Sequence, residues 1–288
     1  MVLPLGDLQK TRIVPVITYV LIALNVVVYV AQWDQGGDGR IEFAYSVIPY
    51  EITHGVDLIG PVPVVIPGDV RPLGDDLPEL ARSGDPGGTE RLTPQAPGPY
   101  PIWLTLFTAM FLHGSPLHLA GNMLSLWIYG DNVEEVLGGF RYVVVYLACG
   151  VAGSLLQIAA SPNSTIPTLG ASGAIAGVMG AYLIWFPHNR IRVLVFRFIT
   201  EMPAGLVIGL WIAMQIWEGF GSFGRMGDSG GVAYLAHVGG AGAGIVVALV
   251  YQDRARQVIA QNDPAQGWFY GPDEGDEPAE LAGSPRAR

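Results

Sequence analysis

The sequence predicts an all-α membrane protein, a six-transmembrane-helix bundle with a long first external loop. Three observations predict it. Half of the 288 residues are hydrophobic and only 14% are charged, against a usual ~25%. The apolar residues gather into six blocks of near-spanning length, longer than the core helices of soluble proteins. The acidic residues behind the net charge of −10 concentrate outside those blocks, between Asp34 and Glu90 and between Asp263 and Glu280.

The blocks fall at about 13–32, 116–131, 142–160, 171–186, 203–220 and 233–251. The first, Ile13 to Val30, is too long for a signal-peptide core, and no A-x-A-like site follows it. It reads as a retained span, and the stretch before it is too short for an Arg- and Ser-rich organellar presequence. The fourth block would be only about 24 Å long at 1.5 Å per residue. Hydrocarbon is about 30 Å thick, so this helix is expected to begin or end below the membrane surface, beside protein or a water-filled cavity.

Six spans put both termini on one side. Lys10, Arg12, Arg141, Arg190, Arg192, Arg197, Arg254 and Arg256 fall there, whereas the short opposite loops carry only Arg225. The positive-inside rule then predicts both termini in the cytoplasm, and the expected location is the plasma membrane, as a multi-pass protein. Arg40, Arg71, Arg82 and Arg91 lie in the long 33–100 loop, which counts little in that rule.

The expected organisation is a cytoplasmic N-terminus at 1–12, a membrane domain at 13–251 and an acidic cytoplasmic tail at 252–288. The tail should begin as a helix end and then lose order. The Pro- and Gly-rich stretch at about 60–101 reads as an irregular external insertion. Trp103 to Leu112 is apolar but half a span long, which suits an interfacial or re-entrant segment. No Lys/Arg run suggests nucleic acid. Cys149 stands alone among apolar neighbours, so an intrachain disulfide or a Cys metal cluster is excluded. No internal repeat is evident, which weakens a transporter reading.

Polar residues within spans are costly in lipid and usually mark function. Three segments hold them. In the first, Ser115 and Pro116 read as N-cap and first helical residue. His118 and Asn122 then follow at i and i+4 on one face, with Ser125 and Tyr129 continuing it. His113 precedes the helix and need not share the face. A polar stripe that merely glues helices is the plainer reading of this segment alone.

The second segment, Gly170-Ala171-Ser172-Gly173, opens the fourth span. Ser172 falls in a first turn, where N–H groups lack intrahelical partners and the dipole favours negative charge. A nucleophile there could have its oxyanion held by those N–H groups. In the third, His237, Gly240 and Gly244 share one face of the sixth span. Gly240 and Gly244 form a G-x-x-x-G pair that admits a close neighbour. Gly173 and Gly177 offer the matching surface, which would bring Ser172 within reach of His237.

Together these segments suggest nucleophilic hydrolysis. Ser172 needs a base, and His237 is the side chain whose ordinary pKa suits that role. His118 and Asn122 can donate to an oxyanion. This assignment leaves Glu218 and Gln157, near span ends, as the remaining strongly polar residues. No span holds an Asp pair, no H-E-x-x-H occurs, and an all-His zinc site from His113, His118 and His237 lacks a carboxylate ligand. The expectation is therefore no metal and no cofactor. No Asp or Glu is placed to orient His237, which favours a dyad over a triad.

With these motifs in order on spans two, four and six, the chain resembles the rhomboid intramembrane serine proteases from about Ile13 to Tyr251. The resemblance rests on H-x-x-x-x-H-x-x-x-N (His113, His118, Asn122), G-x-S-G (Gly170, Ser172, Gly173) and A-H-x-x-G-x-x-x-G (His237, Gly240, Gly244). It implies Ser172 as nucleophile and His237 as general base. It implies His118, Asn122 and the Ser172 N–H as the oxyanion hole, His113, Gly170 and Gly173 in support, and Gly240 and Gly244 as close-packing residues. It implies substrates that are single-span or otherwise membrane-anchored proteins, cut in or beside a transmembrane helix. It also implies a gate at span five, which Trp211, Met214 and Trp217 could line. Many relatives carry an aromatic residue four positions after the nucleophile, stacked on the catalytic His. Ala176 stands there in this chain, so another group must orient His237. The alternative function is a catalytically silent relative that binds transmembrane helices.

Overall fold

In lipid a backbone has to satisfy its own hydrogen bonds, and helices do this within one segment. The computed structural model accordingly is mostly helical. It describes residues 2–9, 11–34, 40–58, 60–63, 92–95, 97–222 and 232–262. Lys10, Arg71, Arg82, Arg91, Arg225, most of the expected insertion and the tail beyond residue 262 lie outside the described residues.

In chain order the elements are β1 (Val2–Asp7), α1 (Val16–Asp34), α2 (Arg40–Tyr45), α3 (Pro49–His54), β2 (Gly60–Pro63), β3 (Leu92–Gln95), α4 (Thr105–Thr108), α5 (Pro116–Leu137), α6 (Gly139–Ala160), α7 (Ser172–Trp185), β4 (Arg190–Val195), β5 (Phe198–Pro203), α8 (Ala204–Ser222), α9 (Tyr234–Val250) and α10 (Gln252–Asn262). Single 3-10 turns, Ile102–Leu104 and Ala109–Phe111, flank α4.

The all-α expectation is corrected in two places. β1, β4 and β5 form an antiparallel sheet in the order β1-β4-β5, and β2 pairs with β3. The N-terminal segment, for which no element was expected, contains a strand. The insertion read as irregular is bounded by a hairpin-like ladder that registers Gly60 with Gln95 and Pro63 with Leu92. β4 and β5 are a local hairpin, but β1 pairs with β4 and β2 with β3 across long stretches of sequence, so no local pattern announces those two pairings.

Among the described residues two helices, α1 and α6, are long and apolar enough to cross a membrane; counting α9 and α10, which meet at 76°, as one bent span gives a third. The expected six is therefore not reached by length and hydropathy. α5 is long but carries Asp131, Glu134 and Glu135 in its last turns, and α7 has only 14 residues. A helix enclosed by others need not be apolar on a lipid face or span the full hydrocarbon thickness.

α7 is the enclosed one. Gly173 to Tyr182 are all buried, as is Trp185. Its partners α6 and α9 approach through small residues. A Cβ on Gly240 would overlap the Gly173 carbonyl, and one on Gly244 would overlap the Gly177 carbonyl. Gly180 and Gly153 meet the backbones of Ala241 and Ala236 in the same way. Bare backbones in contact are what small-residue helix faces provide in a membrane. Trp185 adds a polar tie, its Nε1–H donating to the Ala248 carbonyl at 2.9 Å.

At the far end of α5 from His118, acidic side chains tie down the N-terminal segment. Glu134 accepts from Ile17 N at 3.0 Å, from Thr18 N at 2.8 Å and from the Thr18 hydroxyl at 2.8 Å. It thereby satisfies first-turn donors of α1, where negative charge is favoured. Asp7 accepts from the Tyr182 hydroxyl and from Asn132 Nδ2 (2.9 Å), tying β1 to α7 and α5.

Candidate functional site

The site forms where the short helix α7 begins. The strand-like segment before it is held from three directions. Val47 and Thr168 exchange both backbone hydrogen bonds at 2.9 and 2.8 Å, Tyr50 N donates to Ser164 O at 3.0 Å, and Gly170 N donates to Ala109 O at 2.8 Å. α3 and the turn after α4 therefore fix the loop that delivers Ser172. Gly170 has φ +123°, where a side chain is strained, and an added Cβ would lie 2.8 Å from the His118 ring. Both facts demand glycine at this position.

Ser172 is the first residue of α7 and half-buried. His237 lies in the first turn of α9 and is buried. His237 Nε2 and Ser172 Oγ are 2.8 Å apart, within the range at which a base takes a hydroxyl proton. The close α7–α9 packing at Gly173 and Gly240 makes so short a reach possible.

α5 supplies the other wall. Ser115 caps it, accepting from His118 N at 3.1 Å. His118 and Asn122, one turn apart, both face a cavity of about 600 Å³ that also contains Ser172, His237, Gly170 and Trp211 in its lining. The cavity extends to Thr168 and Leu169.

His113 lies closer to this site than its sequence position suggests. Asn122 Nδ2 is 2.9 Å from His113 Nε2, and the His113 and His118 rings meet edge-on at 5.1 Å. His113 is itself clamped by Gln32 of α1, which accepts from its backbone N at 3.1 Å and donates to its carbonyl at 3.3 Å. An α1 amide thus secures the residue that positions Asn122.

The sequence-based inventory of buried polar groups was incomplete. Asn25, Gln32, Asn132, Glu134 and Gln215 are buried as well. Gln215 is the one at the site, and it stands behind His237 where the sequence offers no Asp or Glu. Its Oε1 lies 2.7 Å from His237 Nδ1. One turn earlier on the same helix, Trp211 tilts over the His237 ring at 5.6 Å and 32°. An amide in the middle of an apolar span was the available signal. Of the three gate candidates, Trp211 faces the cavity, whereas Met214 and Trp217 are 59% and 80% exposed on the outer side of α8. Ala176 is buried inside α7.

Among the described residues no group of three or more His, Cys, Asp or Glu side chains is arranged to hold a metal ion. The arrangement contains a hydroxyl with an adjacent imidazole, polar side chains opposite, and a cavity beside them.

The rhomboid domain family model matches residues 101–254. The chain is 31% identical over 147 residues to Rhomboid protein 1, mitochondrial, of Saccharomyces cerevisiae, covering 50% of this chain and 40% of that protein. It is 43% identical over 88 residues to Rhomboid protease GluP of Bacillus subtilis, covering 31% and 17%. It is 31% identical over 160 residues to Rhomboid-like protein 11, chloroplastic, of Arabidopsis thaliana, covering 51% and 52%. The chain thus spans about half or less of the length of these curated relatives. Two of the three are named for organelles, and such names recur among the other relatives. They overturn the plasma-membrane expectation, and with it the cytoplasmic placement of the termini, which presupposed that membrane. Charge asymmetry reports sidedness but cannot say which membrane is crossed. By a family match that covers more than half of its length, the chain belongs to the rhomboid family.

Proposed function

We propose that this protein is an intramembrane serine endopeptidase that cleaves membrane-anchored proteins in or next to a transmembrane helix. The observation that carries the reading is the 2.8 Å Ser172–His237 contact at the edge of a cavity lined by His118 and Asn122. The name of the GluP relative, a protease, supports it. The helices from 13 to 251 act as one six-span membrane domain, in which the short α7 sets Ser172 at depth.

In this mechanism Ser172 Oγ attacks a backbone carbonyl of the substrate while His237 Nε2 takes its proton. The new C–O bond gives a tetrahedral oxyanion, which the Ser172 N–H, Asn122 and His118 stabilise. His237 then passes the proton to the departing amine, and the C–N bond breaks. Water from the cavity attacks the acyl-enzyme, its proton going to His237; the carbonyl C–Oγ bond then breaks as His237 returns that proton to Ser172 Oγ, releasing the second product as a carboxylic acid. The substrate helix unwinds locally, because a helical peptide bond is shielded. Single-span proteins with small or helix-breaking residues near the cut are therefore the preferred partners.

The test is cleavage of a single-span substrate by purified wild type, Ser172→Ala and His237→Ala. Both variants should lose activity by a factor of about 10⁴ or more while retaining the wild-type melting temperature. Undiminished cleavage by Ser172→Ala would contradict the nucleophile assignment. Replacing the helix-breaking residues of the substrate by Leu should slow cleavage, and an unchanged rate would contradict the unwinding step.

A further inference from the structure

A serine hydrolase needs its histidine in one tautomer, with Nδ1 protonated and Nε2 free. The usual device is a carboxylate behind the ring. Here the atom 2.7 Å behind Nδ1 is the amide oxygen of Gln215. Resting on the serine-protease reading above, we propose that Gln215 is a positioning residue: it holds His237 in the tautomer that can accept the Ser172 proton, and makes that state depend on the placement of α8.

Four observations support it. Gln215 is 6% exposed on a helix that is otherwise almost wholly apolar. An amide there is costly unless it is bonded, and His237 is the partner it reaches. Nδ1–H donating to Oε1 leaves Nε2 as an acceptor, which suits the 2.8 Å contact with Ser172 Oγ. Trp211, at i−4 from Gln215, lies on the same helix face and covers the ring at 5.6 Å. Finally, Ala176 brings no ring to the α7 side, so α8 supplies both the hydrogen bond and the aromatic contact.

α8 is also a peripheral helix. It packs on α7 and α9, and its outer stripe of Leu206, Leu210, Met214, Trp217 and Phe220 is 47–80% exposed. Moving it outward breaks the 2.7 Å bond and withdraws Trp211. His237 is then free to rotate or to switch tautomer. The base is competent when α8 is in place.

A neutral amide and a carboxylate predict different pH behaviour, which separates positioning from packing. Gln215→Met keeps the length and volume but removes the acceptor. Gln215→Glu keeps the acceptor and adds charge, stabilising the imidazolium. Each variant is compared with wild type in detergent for kcat, KM, pH–rate profile, melting temperature and the rate at which a fluorophosphonate labels Ser172.

Gln215→Met should lower kcat and the labelling rate by about 10–100-fold, with KM unchanged. Gln215→Glu should recover activity above neutral pH, with the acid limb of its profile moved to higher pH. Wild-type kcat and labelling in Gln215→Met would overturn the proposal. So would equal losses in both variants with an unmoved profile, which is the signature of packing alone. If Gln215→Met does not fold, the Gln215→Glu profile still decides. Labelling of wild type but not of Ser172→Ala upholds the serine-protease reading whichever way Gln215 falls. A wild type that neither cleaves nor labels overturns both.

Discussion

A chain of polar contacts fixes Asn122, and its links make separable predictions. Gln32 holds the His113 backbone, and the His113 ring meets Asn122 Nδ2 at 2.9 Å. Loss of one oxyanion donor costs about 10²–10³ in rate, so Asn122→Ala should lower kcat by that much with little change in KM. His113→Leu should cost less, up to about 10²-fold, because it leaves the donor present but misplaced. In an Asn122→Ala background, His113→Leu should add almost nothing, and a fully additive double mutant would show that His113 acts by another route. Ser172, His237, His118 and Asn122 were legible as candidates because a hydroxyl, two imidazoles and an amide are conspicuous in apolar helices. Gln215 and Gln32 escaped notice although they are conspicuous by the same rule. Their partners lie 22 and 81 residues away, and no local spacing ties an amide to so distant a ring.

At the scale of elements, the α7–α9 interface was readable, since paired glycines four apart mark faces that approach closely. The structure seats Gly240 on Gly173 and Gly244 on Gly177. Gly244→Val would drive a branched side chain into the Gly177 carbonyl. Overpacking of this kind costs about 1–3 kcal/mol. The melting temperature should fall, and Ser172 labelling should fall with it as the two helices separate. A variant as stable and reactive as wild type would mean that the interface gives way freely. The place of β1 in the sheet was not readable. β1 has Pro4 and Gly6 in six residues, both poor strand formers, and a register shift absorbs them between Pro4 and Gly6. What makes β1 a strand is the presence of β4, which begins only at Arg190, rather than its own propensity. Helix boundaries moved for a related reason. α5 continues past the apolar block to Leu137 because Asp131 and Glu134 find partners inside the protein.

The whole molecule is closed by its N-terminal segment, which returns along β4 and inserts Asp7 between α5 and α7. Burial pushes the Asp7 carboxyl above its ordinary range, partly offset by the hydrogen bonds from Tyr182, Gln9, Leu8 and Asn132. A carboxyl raised in the folded state favours its neutral form there. Its stabilisation is therefore complete below the unfolded-chain value and is lost as pH rises through the folded-state value. The melting temperature should accordingly decline as pH rises above the unfolded-chain value, and Asp7→Asn should make that decline shallower. A slope unchanged in Asp7→Asn would assign it to another group. At this scale the sequence conveyed a helical membrane protein and its family. It could not convey which membrane, because hydropathy and charge bias describe any bilayer, nor how few helices are fully apolar, because that depends on which ones the others enclose. The most direct measurement of the central claim is mass spectrometry of the purified protein after treatment with a fluorophosphonate. A phosphonyl adduct on the Ser172 peptide of wild type, absent from His237→Ala and from denatured protein, is the predicted result. An adduct confined to other residues, or none at Ser172 in folded protein that cleaves substrate, would contradict it.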